Sequence, residues 1–162
     1  MNEFLPYIIG AVIGDIVGSS RESRPVSRKS FRLFTKQSTI TDDTVLTAAV
    51  AEWLLNLNST SIDHTLRKWA ALYPNAGYGS SFKRFLQSDE GSLLESTHNG
   101  AVMRVSPVGY LATSINECLM MAKASAAPSH NSKDAIEAAQ AAAVAIYMAR
   151  EGKTKEDIRD FI

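Results

Sequence analysis

Thr41-Asp42-Asp43-Thr44 places two carboxylates and two hydroxyls on four consecutive residues. Clustered hard oxygens of this kind suit Mg²⁺ or Ca²⁺. Neighbouring residues inside a helix point about 100° apart and do not share a ligand, whereas at a helix start the cap residue leaves helical geometry and oxygens can converge. The stretch meets that condition. Polar residues 36–39 precede it and an apolar helical pattern begins at Val45, so Thr41 reads as an N-cap with Asp42 and Asp43 in the first turn. A second explanation needs no ligand. Acidic residues complement the positive end of the helix dipole, by about 0.3–1 kcal/mol each. On spacing alone the capping explanation is the stronger.

Three further constellations carry chemical potential. Asp15 interrupts an apolar run, and Glu22 follows seven residues later. A buried carboxylate requires an ion-pair partner, a helix to cap, or a metal. Glu22 stands among Arg21 and Arg24, which by itself marks a solvated loop charge. The small-residue loop Ser96-Thr97-His98-Asn99-Gly100 runs through Arg104 into Ser106-Pro107. Such a loop entering a helix offers backbone N–H groups to an anion such as phosphate. Asn-Gly is equally a plain turn signal, and Arg104 suits either a phosphate or a core carboxylate. Ser129-His130-Asn131-Ser132 precedes the longest helical pattern. There His130 is a ligand-binding side chain or, more commonly at such a place, a cap or surface residue.

The elements that must position these groups are helical throughout. Residues 4–18 predict a buried helix whose Gly10, Gly14 and Gly18 would admit another backbone closely. Residues 19–39, polar and interrupted by Pro25, predict a long loop. Helical spacing then covers 44–56, a segment capped by Ser61 and stopped by Pro74, a short helix around Phe82 and Phe85, a start at Ser106-Pro107, and 115–126. Ser132 caps 133–150, whose many alanines predict burial on several sides, and Thr154 opens a last turn or two. Alternating strand patterns are absent, so the chain reads as all-α.

With 162 residues, 45% of them hydrophobic, the expectation is one domain over 1–162 with a real core. Seventeen basic residues balance seventeen acidic ones, so no overall field directs the chain to nucleic acid or a membrane. Cys118 is the single cysteine, which suits a reducing compartment. The apolar stretch 7–17 is short and broken by Asp15, with neither a basic leader nor a cleavage site. A cytoplasmic location is the resulting expectation.

In this order the motifs resemble the ADP-ribosylglycohydrolase family, which includes the dinitrogenase-reductase-activating glycohydrolases. The matching residues are the Gly-Asp-containing run at 10–18 with Glu22, Thr41 through Thr47, the Gly77-Tyr78-Gly79 turn with Phe82, Asn99-Gly100 with 103–109, and 129–131. The resemblance covers nearly the whole chain and favours the ligand explanation of the acidic cluster.

It implies an orthogonal all-α bundle holding Mg²⁺, as one ion or two, with Mn²⁺ as the alternative. Thr41, Asp42 and Asp43 would be metal ligands and Glu22 the catalytic loop glutamate. Ser96, Asn99, Gly100 and His130 would bind the substrate, ADP-ribose on a protein side chain or a small ADP-ribose derivative. The implied reaction is hydrolysis at the ribosyl C1″. A non-catalytic relative acting as a weak ADP-ribose-binding or interaction module is the alternative.

Two positions depart from the family pattern: His98 stands where glycine is usual, and Thr97 replaces an aromatic residue. The family's Asp-x-Asp-Thr segment, which completes the metal ligands, has no counterpart before Ile162; the only similar spacing, Asp157 and Asp160, falls on the terminal helix. The chain therefore reads as the front part of the fold, C-terminally truncated, and self-association or a second chain covering the missing helices is expected.

Overall fold

A computed structural model describes residues 5–22 and 26–162; Phe4, Arg24 and Pro25 lie outside the described residues. The all-α expectation holds: the described residues form helices and no strand. In chain order they are α1 (Leu5–Ser19), α2 (Asp42–Leu55), α3 (Ile62–Leu72), α4 (Ser80–Gln87), α5 (Ser106–Leu111), α6 (Ile115–Ala126), α7 (Lys133–Arg150) and α8 (Lys155–Phe161). A single 3₁₀ turn spans Asn99–Ala101.

Local chemistry sets most of the starts. Thr41, Ser61, Ser114, Ser132 and Thr154 each turn a hydroxyl back to accept a backbone N–H of the first helical turn. Each such cap is worth about 1 kcal/mol. At α5, Ser106 and Pro107 take the first helical positions and no side chain caps the helix.

α2 is the central helix. It buries Val45, Leu46, Ala49, Val50, Trp53 and Leu54, among others, and packs on α1, α3 and α5. α7 packs on α5 and α6. α5 and α7 approach closely at Gly109. A Cβ on Gly109 would sit 2.6 Å from the Ala143 carbonyl oxygen and 2.7 Å from the Ile146 side chain.

Two packing expectations are corrected. α1 is not a buried helix: Ile9 and Ile13 are 46% and 48% exposed, and Asp15 is its one buried side chain among those described. Among the described residues nothing lies within 4 Å of a Cβ placed on Gly10, Gly14 or Gly18, so none of them brings a backbone against the glycine row. α7 is buried along one stripe, Ala135, Ala139, Ala143, Val144 and Met148, while Ala138 and Ala149 are exposed. Alanine suits a helix wherever it lies, because it is the best helix former, so alanine content overstates burial.

One connection fixes the site's far wall. The Leu94 N–H donates to the Pro128 carbonyl at 3.1 Å, and the Asn131 N–H donates to the Leu94 carbonyl at 2.9 Å. The Ser132 hydroxyl donates to the Ser96 carbonyl at 3.0 Å. The loop ending at Gly100 is thereby tied to the turn that starts α7.

Candidate functional site

Four carboxylates gather where α1 meets the start of α2. The buried Asp15 takes the Thr41 N–H and the Thr41 hydroxyl at 2.7 Å each. It also accepts the Thr44 N–H at 3.2 Å and the Thr44 hydroxyl. Of its three possible roles, Asp15 therefore fills that of a cap supplied to α2 by a neighbouring helix. The Thr41 hydroxyl donates its hydrogen bond to Asp15, and its oxygen accepts only a long bond, 3.3 Å, from the Asp43 N–H. A lone pair on that oxygen remains for another partner.

Burial pushes the Asp43 carboxyl up to about 6, with the charges of Asp15, Asp42 and Glu22 adding to it. Burial also raises Asp42; a backbone hydrogen bond opposes the rise, and Glu22 and Asp15 reinforce it. Glu22 is exposed, as its arginine neighbours suggested, yet its charge reaches both aspartates. The corner thus concentrates negative charge on hard oxygens, the donor set that fits Mg²⁺ or Mn²⁺. Among the described residues, no three His, Cys, Asp or Glu side chains converge closely enough to form a metal cage by themselves.

Asp42 also lines a cleft of about 150 Å³. Ser81 and Phe82 of α4, Asn99, Gly100 and His130 form other parts of its wall. Clefts that enclose drug-sized ligands span roughly 300–1,000 Å³, so this one accommodates a group such as a phosphate or a ribose. Gly77, at φ +99°, brings its turn to Asp42: a Cβ there would lie 3.8 Å from the Asp42 carboxylate. Burial, then the Asp42 charge, pushes the Tyr78 phenol up to about 12.

The expected substrate-binding residues divide. Asn99, Gly100 and His130 share the cleft, whereas Ser96 is not among its lining residues. Ser96 is buried, with its hydroxyl accepting the His98 N–H at 3.3 Å, and so shapes the loop from within. His130 is neither a cap nor a surface residue but 2% exposed. Its Nδ1 lies 2.8 Å from the Ser129 hydroxyl. Burial first, then the Arg104 and His98 charges, holds the imidazole down to about 4. Gly100 is required beside it, since a Cβ would fall 2.7 Å from His130 Cε1.

Arg104 forms no ion pair with a carboxylate among the described residues. Fully buried, it donates from Nη2 to the Ser125 carbonyl at 2.7 Å and to the Ser129 hydroxyl at 2.9 Å. His98, standing where the family usually has glycine, turns its Nδ1 to within 3.3 Å of the Ser81 hydroxyl. Sequence reasoning missed Ser81. Its place beside Phe82, at the start of α4 just after the glycine turn, was the available signal.

Fold and site define an all-helical protein with an acidic, cation-compatible corner opening on a cleft of phosphate or sugar size. The chain belongs to the ADP-ribosylglycohydrolase family, whose profile matches residues 2–162. Membership carries a glycohydrolase-type function on ADP-ribose derivatives. No helix among the described residues is long and apolar enough to cross a membrane.

Proposed function

We propose that this chain binds the ADP-ribose part of a modified protein side chain, or of a small ADP-ribose derivative, and takes part in Mg²⁺-dependent hydrolysis of its ribosyl bond. The observation that carries this reading is the double position of Asp42. It belongs to the acidic corner with Asp43 and Glu22, and it lines the cleft with Asn99, Gly100 and His130.

Thr41, Asp42 and Asp43 would hold the cation, with water completing its coordination. When bound, it would orient ribose hydroxyls and lower the pKa of a water nucleophile. The residues supply the rest. Breaking a ribosyl bond builds positive charge at C1″, and the carboxylates of Asp42, Asp43 and Glu22 offset it. Glu22, in the turn after α1 and open to solvent, is the group suited to take a proton from the attacking water. Having no side chain, Gly100 leaves room for the His130 ring, and both line the cleft in which a phosphate or ribose oxygen would sit.

The absence of a complete cage among the described residues favours a second reading, a non-catalytic ADP-ribose-binding module. Calorimetry with ADP-ribose and Mg²⁺ tests binding, and hydrolysis of ADP-ribosylated protein with and without Mg²⁺ tests catalysis, with Asp42→Ala as control. Heat of binding with turnover supports the enzyme, and binding without turnover supports the module. No heat at millimolar ligand removes both.

A further inference from the structure

The Ser129 hydroxyl stands between two nitrogens, Arg104 Nη2 at 2.9 Å and His130 Nδ1 at 2.8 Å. All three side chains are buried, with Arg104 0%, Ser129 1% and His130 2% exposed. A hydroxyl carries one proton and two lone pairs, and a guanidinium can only donate. One lone pair of Ser129 therefore receives Arg104. Its proton then needs an acceptor, and Nδ1 is the atom within reach.

The opposite arrangement, with Nδ1–H donating to Ser129, would leave the hydroxyl proton buried with no acceptor. Leaving a buried hydroxyl proton without an acceptor forfeits a hydrogen bond and leaves its desolvation uncompensated, which decides the tautomer. An Nδ1 that accepts puts the ring's proton on Nε2. That nitrogen lies against Gly100, where a Cβ would be 2.8 Å from it, on a ring that lines the cleft.

We infer that Arg104 and Ser129 are positioning residues that fix His130 as its Nε2–H tautomer, so that the ring offers the cleft an uncharged donor for a phosphate or ribose oxygen. The inference deepens the proposed function and rests on it for the ligand class. The relay itself stands on the protein alone. Arg104 serves here through its direction as well as its charge: Nε and Nη1 have no hydrogen-bond partner, and Nη2 alone is committed, to Ser125 and Ser129. The Nη2 bond to the Ser125 carbonyl aims the guanidinium at Ser129. Burial first, and then the neighbouring Arg104 charge, resists protonation of the ring, which keeps the donor neutral.

Long-range ¹H–¹⁵N NMR on the full chain without ligand tests the relay, with the His130 signals identified by their loss in His130→Gln. The expected wild-type pattern is an unprotonated Nδ1 and a protonated Nε2. Ser129→Ala should convert this to a mixture of tautomers, and Ser129→Thr should restore it. In calorimetry with ADP-ribose and Mg²⁺, Ser129→Ala should weaken binding about three- to tenfold, the worth of one neutral hydrogen bond, with Ser129→Thr recovering it. A protonated Nδ1 in the wild type, or an unchanged tautomer in folded Ser129→Ala, overturns the inference. If Ser129→Ala does not fold, the wild-type and Ser129→Thr tautomers decide it. An Nε2–H ring in a protein that binds no ADP-ribose would sink the functional reading while leaving the relay in place.

Discussion

Asp15 on α1 takes the hydroxyl proton of Thr41 at the N-cap of α2, at 2.7 Å. The bond joins two elements through partners 26 positions apart in the chain. It also decides which way the Thr41 oxygen presents its remaining electrons.

Replacing Asp15 should therefore harm both stability and the acidic corner. An amide has one acceptor oxygen where the carboxylate has two, so Asp15→Asn leaves part of the Thr41 and Thr44 donor set unsatisfied. Loss of about 2–3 kcal/mol is expected, given hydrogen bonds to a charged acceptor at about 1.5–3 kcal/mol. Urea denaturation at neutral pH measures it, and an unchanged midpoint would refute the capping role.

Asp43 should behave in the opposite sense. Its carboxyl is raised from 3.8 to about 6 in the folded chain, so ionisation is easier in the unfolded one. Stability is then lost as pH rises from about 4 through 6, and it is absent at pH 7. Asp43→Asn removes that loss, and among the described residues no side-chain hydrogen bond to the Asp43 carboxylate is lost with it. The metal-free variant should melt higher than wild type at pH 7, with the gain fading below pH 4. Added Mg²⁺ should raise the melting temperature of wild type and not of the variant, a comparison for scanning calorimetry.

His130 supplies a pH dependence of the other sign. Its folded value, about 4, lies below the ordinary imidazole value of 6.5, so the unfolded chain binds the extra proton between these limits. Stability is complete above 6.5 and falls as pH drops towards 4. At 1.36 kcal/mol per unit the loss reaches about 2–3 kcal/mol near pH 4.5. His130→Gln lacks this component. The urea midpoints of wild type and variant should therefore converge or cross between pH 7 and pH 4.5, and parallel curves would count against a buried neutral ring.

Two glycines separate true close packing from its imitation. Gly109→Ala drives a Cβ into the Ala143 carbonyl and the Ile146 side chain, and should cost about 1–3 kcal/mol by overpacking. Gly14→Ala meets nothing within 4 Å and should be neutral or stabilise by up to about 1 kcal/mol, as alanine is the better helix former. Thermal melts of the pair settle the assignment.

These two glycines also show what sequence could and could not tell. Helix ends were legible because their signals are local: Ser61, Ser132 and Thr154 cap the helices they were expected to cap, and 115–126 and 133–150 match in extent. Burial is a property of neighbours, so the glycine row of α1 and the alanines of α7 misled where Gly109 went unnoticed. The site divides in the same way. Asn99, Gly100 and His130 stood out as loop residues before helices and do share a cleft. The links from Asp15 to Thr44, and from Arg104 through Ser129 to His130, run between residues whose spacing carries no periodicity. Ser96 stood out for its loop position, but its side chain turns inward.

The stitching of Leu94 to Pro128 and Asn131 makes Asn99, Gly100 and His130 parts of one slab, while Asp42 rides on α2. A molecule seated between them would act as a splint across the seam. Any breathing of the empty protein along that seam would carry both the glycine and the imidazole away from the aspartate together.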